Sequence, residues 1–377
     1  MSIFAGMKSN FSDILSGLQE QTTRKLEAKL PSWTSVDGIR IPGSLSLEQC
    51  SSEKTARYKS SLMDYKTVAD LDSGLGVDVW AFSGKAEKVW YNELNPDIAE
   101  AARTNLGALG VSNVEFSSMD ASDILDTLPR VDLLFLDPAR RSDTGRKVFL
   151  LEDCSPDVMS LMPRLWQHSS TIMLKLSPMA DISLLERKLE GLCELHIVSV
   201  NGECKELLCI LRQGWSGGCR LVAAELSSGE VIDFGTRTAE SSPAAPLCGR
   251  VKPGNLLLEP MPVLLKAGMD AFLCHKWKLL QLDTSTHLFV AEDCALAEDI
   301  PQSMFRRFTV SEVLPFCKES MKEAGKRYPD ADVSARNVPL KSEELRKKMG
   351  IKGSGGAHIF GVSVHGERVL LVCNKEH

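Results

Sequence analysis

The stretch Val68-Ala69-Asp70-Leu71-Asp72-Ser73-Gly74-Leu75-Gly76-Val77-Asp78 constrains this chain more than any other. Apolar residues run into an acid, and two glycines spaced one apart open a segment of helical pattern. A strand, a glycine turn and a helix in this order begin the α/β sheets that bind nucleosides and dinucleotides. Glycine is needed there because a side chain would block the approach of the backbone to a ligand.

Three more strand patterns succeed the glycine turn at regular intervals. Lys88-Val89-Trp90-Tyr91-Asn92 is a strand pattern ending at Glu93, 17 residues after Gly76. An acid at the tip of a second strand can accept from both hydroxyls of a ribose. Asn113 to Met119 reads as a third strand ending at Asp120, an acid able to accept from an adenine amino group. Val131-Asp132-Leu133-Leu134-Phe135-Leu136 reads as a buried strand that ends in Asp137-Pro138. Acids at successive strand tips would line one crevice, where open parallel sheets bind their ligands.

The order of these motifs resembles that of class I S-adenosylmethionine-dependent methyltransferases. More narrowly, the glycine turn, Leu136-Asp137-Pro138-Ala139-Arg140-Arg141 and Leu151-Glu152-Asp153-Cys154 resemble a family of methyltransferases with a C-terminal THUMP-like domain. The resemblance runs from about Lys29 to the C-terminus. It implies a Rossmann-like, mainly parallel sheet with an antiparallel edge, preceded by a helical segment and followed by small α+β domains. It implies S-adenosylmethionine as cofactor, with Asp70, Gly74, Gly76, Asp78, Glu93 and Asp120 around it. It also implies RNA, either tRNA or rRNA, as partner. A nicotinamide cofactor fits less well. It would want a third glycine where Val79 stands, and it leaves Asp120 and Asp137-Pro138 without roles.

Asp137, Pro138 and Arg140 are the expected catalytic residues. Methyl transfer is an in-line displacement in which the protein mostly orients the nucleophile. A carboxylate in a Pro-stiffened turn can accept the N–H bonds of an amine and aim its lone pair. Many base N-methyltransferases carry Asn/Asp-Pro-Pro and then an aromatic residue; here Ala139 replaces the second Pro and Arg140 the aromatic. An Arg plane can stack on a base or grip a phosphate, and Arg141 adds charge beside it. Asp-Pro-x-Arg also resembles the C5-uracil methyltransferases, for which Cys154 is the candidate nucleophile, but nitrogen is the favoured target.

The boundaries expected are a helical segment over 1–66, a methyltransferase domain over 67–213, a β-hairpin with a small ferredoxin-like module over 214–304, and a basic THUMP-like domain over 305–377. A helix is expected over 1–30, and Ser46 is expected to cap a helix running to Tyr58. That helix resembles one that closes over the methionine end of the cofactor in several RNA-modifying methyltransferases.

Net charge is −6, but from Arg306 to His377 there are 14 Lys or Arg against 9 Asp or Glu, a net +5 that leaves −11 for the rest. A basic domain on an acidic body points to nucleic acid. Arg346, Lys347 and Lys348, before Lys352-Gly353-Ser354-Gly355-Gly356, are the expected phosphate contacts, with Arg140 and Arg141 near the target. The 11 scattered cysteines form no Cys-x-x-Cys, and no histidine sits at metal-ligand spacing from them. Reduced thiols, no metal and a cytoplasmic location are the resulting expectations. No apolar run approaches the roughly 18 residues of a membrane span, and no secretory h-region is seen. Two other functions remain open at this point. One is a protein or small-molecule methyltransferase, the other a non-catalytic RNA-binding protein with a degenerate methyltransferase fold.

Overall fold

The structure is a computed structural model and describes residues 22–140, 151, 154–236, 244–291 and 299–376; of Arg140 it describes the backbone. Two compact units emerge. The first holds the described residues up to Val198 together with Lys205–Cys219; the second holds Ser199–Cys204 and the described residues from Arg220.

The first unit opens with four helices: α1 (residues 22–29), α2 (Pro31–Thr34), α3 (Ser44–Gln49) and α4 (Glu53–Ser61). Pro31 both ends α1 and starts α2, because a first-turn Pro loses no helical hydrogen bond. The stretch read as one helix capped by Ser46 is two. Ser46 lies inside α3, and the cap of α4 is Ser52, whose Oγ accepts from Thr55 N at 3.2 Å. Leu30, Trp33, Leu47 and Ala56 pack on Leu75 and Val77, fastening these helices to the glycine turn.

The sheet then forms from β1 (Thr67–Asp70), α5 (Val77–Ser83), β2 (Lys88–Asn92), α6 (Pro96–Ala108), β3 (Val114–Ser117), α7 (Ala121–Ile124) and β4 (Leu133–Leu136). A short pair, β5 (Ala139–Arg140) and β6 (Cys154–Ser155), leads to α8 (Val158–His168), β7 (Thr171–Leu176), α9 (Ile182–Lys188), β8 (Leu192–Val200) and β9 (Glu203–Arg212). The strand order is β8-β9-β7-β4-β1-β2-β3. From β7 to β3 the neighbours are parallel, and β9 runs antiparallel to β7. This is the Rossmann-like sheet with an antiparallel edge. Asn201 and Gly202, both at positive φ, make the tight β8–β9 turn. The chain winds outward from β1 to β3 and then returns to β4 on the other side of β1, so a crevice opens at the β1/β4 tips.

Under that crevice lies a buried charge cluster. Lys59 of α4 is fully buried; its Nζ donates to Ser51 Oγ at 2.8 Å and Glu206 Oε1 at 3.2 Å. It also stands 2.9 Å from Asp78 Oδ1, a charge contact without hydrogen-bond alignment. Ser51 Oγ donates to Asp78 Oδ2 at 2.6 Å. A single ammonium thus ties α4 to the first turn of α5 and to β9.

The second unit contains the hairpin β10 (Arg220–Glu225) and β11 (Glu230–Thr236), then β12 (Leu256–Pro260), α10 (Pro262–Ala267), α11 (Asp270–Trp277), β13 (Leu279–Gln281) and β14 (Phe289–Ala291). It ends with β15 (Phe305–Pro315), α12 (Lys318–Arg327), β16 (Asp332–Arg336), α13 (Ser342–Met349), β17 (His358–Val364) and β18 (Glu367–Lys375). One sheet of order β13-β14-β12-β15-β18-β17-β16 runs through it, and only β16 and β17 pair in parallel. Met321, Ala324, Leu345 and Met349 of α12 and α13 pack on Ile359, Leu370 and Val372 of the sheet. The two helices approach so closely at Gly325 that an added Cβ would fall 1.8 Å from Met349 O.

Replacing Lys59 by Met would leave Asp78 and Glu206 buried without their counter-charge. A loss of about 3–5 kcal/mol in the first unit is expected from chemical denaturation. The double variant Lys59→Met, Glu206→Leu should recover part of it; a single-variant loss below about 1 kcal/mol would contradict the charge cluster.

Candidate active site

The glycine turn is held from behind. Ser73 N donates to Asn92 O at 2.8 Å, and Tyr91 Oη donates to Gly74 O at 2.6 Å. Gly74 and Gly76 both take positive φ, +52° and +80°. They differ in surroundings. A Cβ at Gly76 would press on Leu106 Cδ1 at 3.1 Å, so Gly76 lets α6 pack; at Gly74 a Cβ would meet nothing within 4 Å. The open side of the turn is therefore at Gly74.

Glu93 follows β2 and is held in place by the turn. Its Oε2 accepts from Gly74 N at 3.1 Å and its Oε1 from Asn95 N at 2.8 Å. Asp120 follows β3 and caps α7. Its Oδ1 accepts from Ser122 Oγ at 2.6 Å and Ser122 N at 2.8 Å, which holds the carboxyl below its usual range. Asp70 is buried at the end of β1. Burial, then repulsion from Asp78 and Asp72, raises its carboxyl well above the usual range. Asp72 is raised likewise, by burial and then by Asp137, Glu93 and Asp120. Oδ2 of each is buried without a hydrogen-bond partner.

These residues surround a cleft of about 590 Å³. Gly74, Asp78, Glu93, Asp120 and Asp137 all line it, and so does Asp72; Asp70 lies buried behind it. Of the sequence-predicted cofactor residues, Gly74, Asp78, Glu93 and Asp120 thus line one cleft, while Gly76 does not. Lys175, on β7, is the one cation among the described residues that line it. It makes a short ion pair with Asp137 Oδ2. Burial works against its charge, but Asp137, Glu206 and Asp78 outweigh burial and push the ammonium above the ordinary lysine value.

Several of these residues were not singled out from the sequence. Lys175 interrupts the apolar run Thr171-Ile172-Met173-Leu174-Lys175-Leu176, and a lone charge in a buried strand is itself a signal. Leu94 and Met119, beside Glu93 and Asp120, line the cleft while 66% and 37% exposed, apolar side chains that a flat ligand could cover. Lys59 had no distinguishing signal, since a lysine in a polar helix normally faces water.

Other expected contacts lie elsewhere. In the β5 backbone Arg140 follows Ala139, which lines the cleft, and pairs with Cys154, which is fully buried. Arg141 lies outside the described residues, as do Glu152, Asp153 and the first 21 residues of the helix expected over 1–30. In the second unit, Arg346 closes the end of its own helix. Its guanidinium donates to the carbonyls of Ile351 at 3.4 Å, Lys352 at 3.1 Å and Gly353. Lys347 and Lys348 are exposed. In the glycine-rich turn beside them, the Gly353 and Gly356 amides donate to Pro329 O at 3.2 Å and Asp330 O at 2.9 Å. This unit has its own cavity of about 620 Å³, with Arg306, Arg307, Phe308, His358 and Lys375 on its wall. Burial pushes His358 down to about 4, so it is neutral near pH 7. Among the described residues no cluster of side chains could hold a metal, and no helix is long and apolar enough to cross a membrane.

A sequence profile described as THUMP domain-like matches residues 305–375. A crystal structure of a protein from Porphyromonas gingivalis W83, provisionally named a methyltransferase, superposes with a TM-score of 0.83 at 32% identity, covering 95% of this chain and 89% of that one. Two Mycobacterium tuberculosis proteins, from strains CDC 1551 / Oshkosh and ATCC 25618 / H37Rv, are each 26% identical over 312 residues, 82% of this chain and 80% of theirs. Both are named uncharacterized S-adenosylmethionine-dependent methyltransferases. The chain belongs to the family of class I S-adenosylmethionine-dependent methyltransferases with a C-terminal THUMP-like domain, and its cofactor is S-adenosylmethionine.

Proposed function

We propose that this methyltransferase modifies a base of RNA, tRNA or rRNA, at a nitrogen. The observation that carries the reading is the position of Asp137-Pro138. It ends β4 at the edge of the cofactor cleft, with its carboxylate held by Lys175. When bound, S-adenosylmethionine supplies a methyl group on a sulfonium. The cleft fits such a cation, since among the described residues five carboxylates line it against one ammonium, and Asp72 has a buried oxygen without a hydrogen-bond partner there. Glu93 accepts from the ribose hydroxyls, Asp120 from the adenine amino group, and Gly74 gives the backbone clearance. Asp78 holds α4 through Lys59 and the loop before it through Ser51.

At the acceptor, the Asp137 carboxylate and the rigid Pro138 turn take the N–H bonds of an exocyclic amine and aim its lone pair. Arg140 and Arg141 stand next in the chain as candidate base or phosphate contacts. For the C-terminal domain the reading rests on its THUMP-like sequence and its +5 balance. Lys347 and Lys348 serve as phosphate contacts, while Arg346 shapes the turn beside them.

Nucleosides from cells lacking the gene, analysed by mass spectrometry, should lack one methylated base. Wild type should restore it; Asp137→Ala should lower kcat at least 100-fold and fail to restore it. Unchanged RNA would point instead to a protein or small-molecule acceptor.

Cofactor binding should release a proton. The raised Asp72 carboxyl holds its proton to higher pH, and an arriving cation favours its ionised form. Affinity should therefore rise with pH until Asp72 is ionised in the free protein. Calorimetry in buffers of different ionisation enthalpy should show the release, Asp72→Asn should abolish it, and Glu93→Ala should weaken binding about tenfold or more. Buffer-independent heats would contradict the role given to Asp72.

Changing Lys347 and Lys348 together to Ala should weaken RNA binding and flatten its salt dependence by up to about two phosphate contacts. Cofactor affinity should not move. An equal salt slope would remove this pair from the binding surface.

A further inference from the structure

Lys175 has fewer partners than its burial demands. Its side chain is only 13% exposed, and its ammonium carries three N–H donors. Among the described residues, Asp137 is the one acceptor that these donors meet. Lys59, the fully buried ammonium, has Ser51, Glu206 and Asp78 around it instead. Lys175 nevertheless keeps its charge, because Asp137, Glu206 and Asp78 outweigh burial. A buried, charged ammonium with donors to spare is completed by a further acceptor, and an anion serves best.

The cleft leaves an anion few places. Asp72, Asp78, Glu93, Asp120 and Asp137 line it, and each of these carboxylates repels another. Lys175 is the one cation among the described lining residues that attracts it. S-adenosylmethionine brings such a group into the cleft. The cofactor is an adenosine joined through sulfur to an amino-acid arm, and the α-carboxylate of that arm is its one negative charge.

The order of the strand tips says where that arm falls. Across the sheet they stand as β7, β4, β1, β2 and β3. They carry, in that order, Lys175, Asp137, the glycine turn, Glu93 and Asp120. With adenine at Asp120 and ribose at Glu93, as proposed above, the arm runs past the glycine turn toward β4 and β7. Its carboxylate then arrives at the lining cation, and its ammonium and sulfonium stay among the acids.

We infer that Lys175 binds the α-carboxylate of S-adenosylmethionine and shares its ammonium between that carboxylate and Asp137. One side chain then fixes both the amino-acid arm and the Asp-Pro turn. The inference rests on the nucleoside placement given above and not on the nature of the acceptor. The test is calorimetry of the full chain with three probes: S-adenosylhomocysteine, its decarboxylated form, and 5′-methylthioadenosine, which lacks the amino-acid arm. Wild type should bind S-adenosylhomocysteine at least about tenfold more tightly than the decarboxylated form. In Lys175→Met the two should bind within about threefold of each other, and Lys175→Arg should restore part of the preference. Affinity for 5′-methylthioadenosine should stay within about threefold in all of them, which shows a folded nucleoside site. The double variant Lys175→Met, Asp137→Asn leaves no carboxylate of the pair unmatched and should behave as Lys175→Met does, so the comparison survives if the single variant is unstable. Equal binding of the two forms by wild type, or a tenfold preference that persists without Lys175, overturns the assignment. If Glu93→Ala leaves 5′-methylthioadenosine binding unchanged, the nucleoside placement falls, while the carboxylate comparison judges Lys175 separately.

Discussion

Lys59 is the point on which the first unit's working end depends. A fully buried ammonium is costly unless several partners replace its water, and here Ser51, Asp78 and Glu206 do so from three separate elements. These contacts form only where α4, α5 and β9 bring Ser51, Asp78 and Glu206 around one ammonium, which favours this placement of the three elements. A well-packed apolar substitute for the whole cluster could be as stable. It would not dictate the same geometry. The second ammonium, Lys175, shares Glu206 and Asp78 at longer range and reaches Asp137 directly. α4 and the Asp-Pro turn are thereby linked through one set of buried charges.

Carboxylates dominate the cleft formed by the tips of β1 to β4, and they raise one another's proton affinity at Asp70 and Asp72. Asp137 and Lys175 also border a smaller adjoining cavity, with Lys205 on its wall. Asp137 and Lys175, at the boundary between them, pair with each other.

Much of this was legible in the sequence because it depends on local pattern. The glycine turn, the acids at strand tips and the Asn95-Pro96 cap are each written within a few residues, and the strand order brings their side chains to one edge. The rest depends on contacts between residues far apart in the chain. Nothing near Lys59 announces Glu206, which is 147 residues away. The Ser46 cap failed for a related reason. Ser46 and Ser52 both precede helix-prone residues, and the break at Cys50 between them is set by packing of Leu47 and Ala56 on the glycine turn. Lys175 was the exception, visible as a charge in an apolar strand.

In the second unit the difference between counting charges and locating them is clearest. The +5 of this segment includes many cations already engaged. Arg306 and Arg336 bracket the buried Glu259, Arg327 meets Glu312 and Glu323, and Lys375 meets Asp332. Arg346 is spent on carbonyls after α13, where the helix leaves acceptors unfilled and its dipole favours a cation. A guanidinium suits that task because its fork reaches several carbonyls at once, whereas a lysine would hold fewer. The basic run Arg346-Lys347-Lys348 therefore contains two kinds of residue. The arginine builds the Gly353–Gly356 turn, and the two exposed lysines carry the field that an anionic polymer would meet.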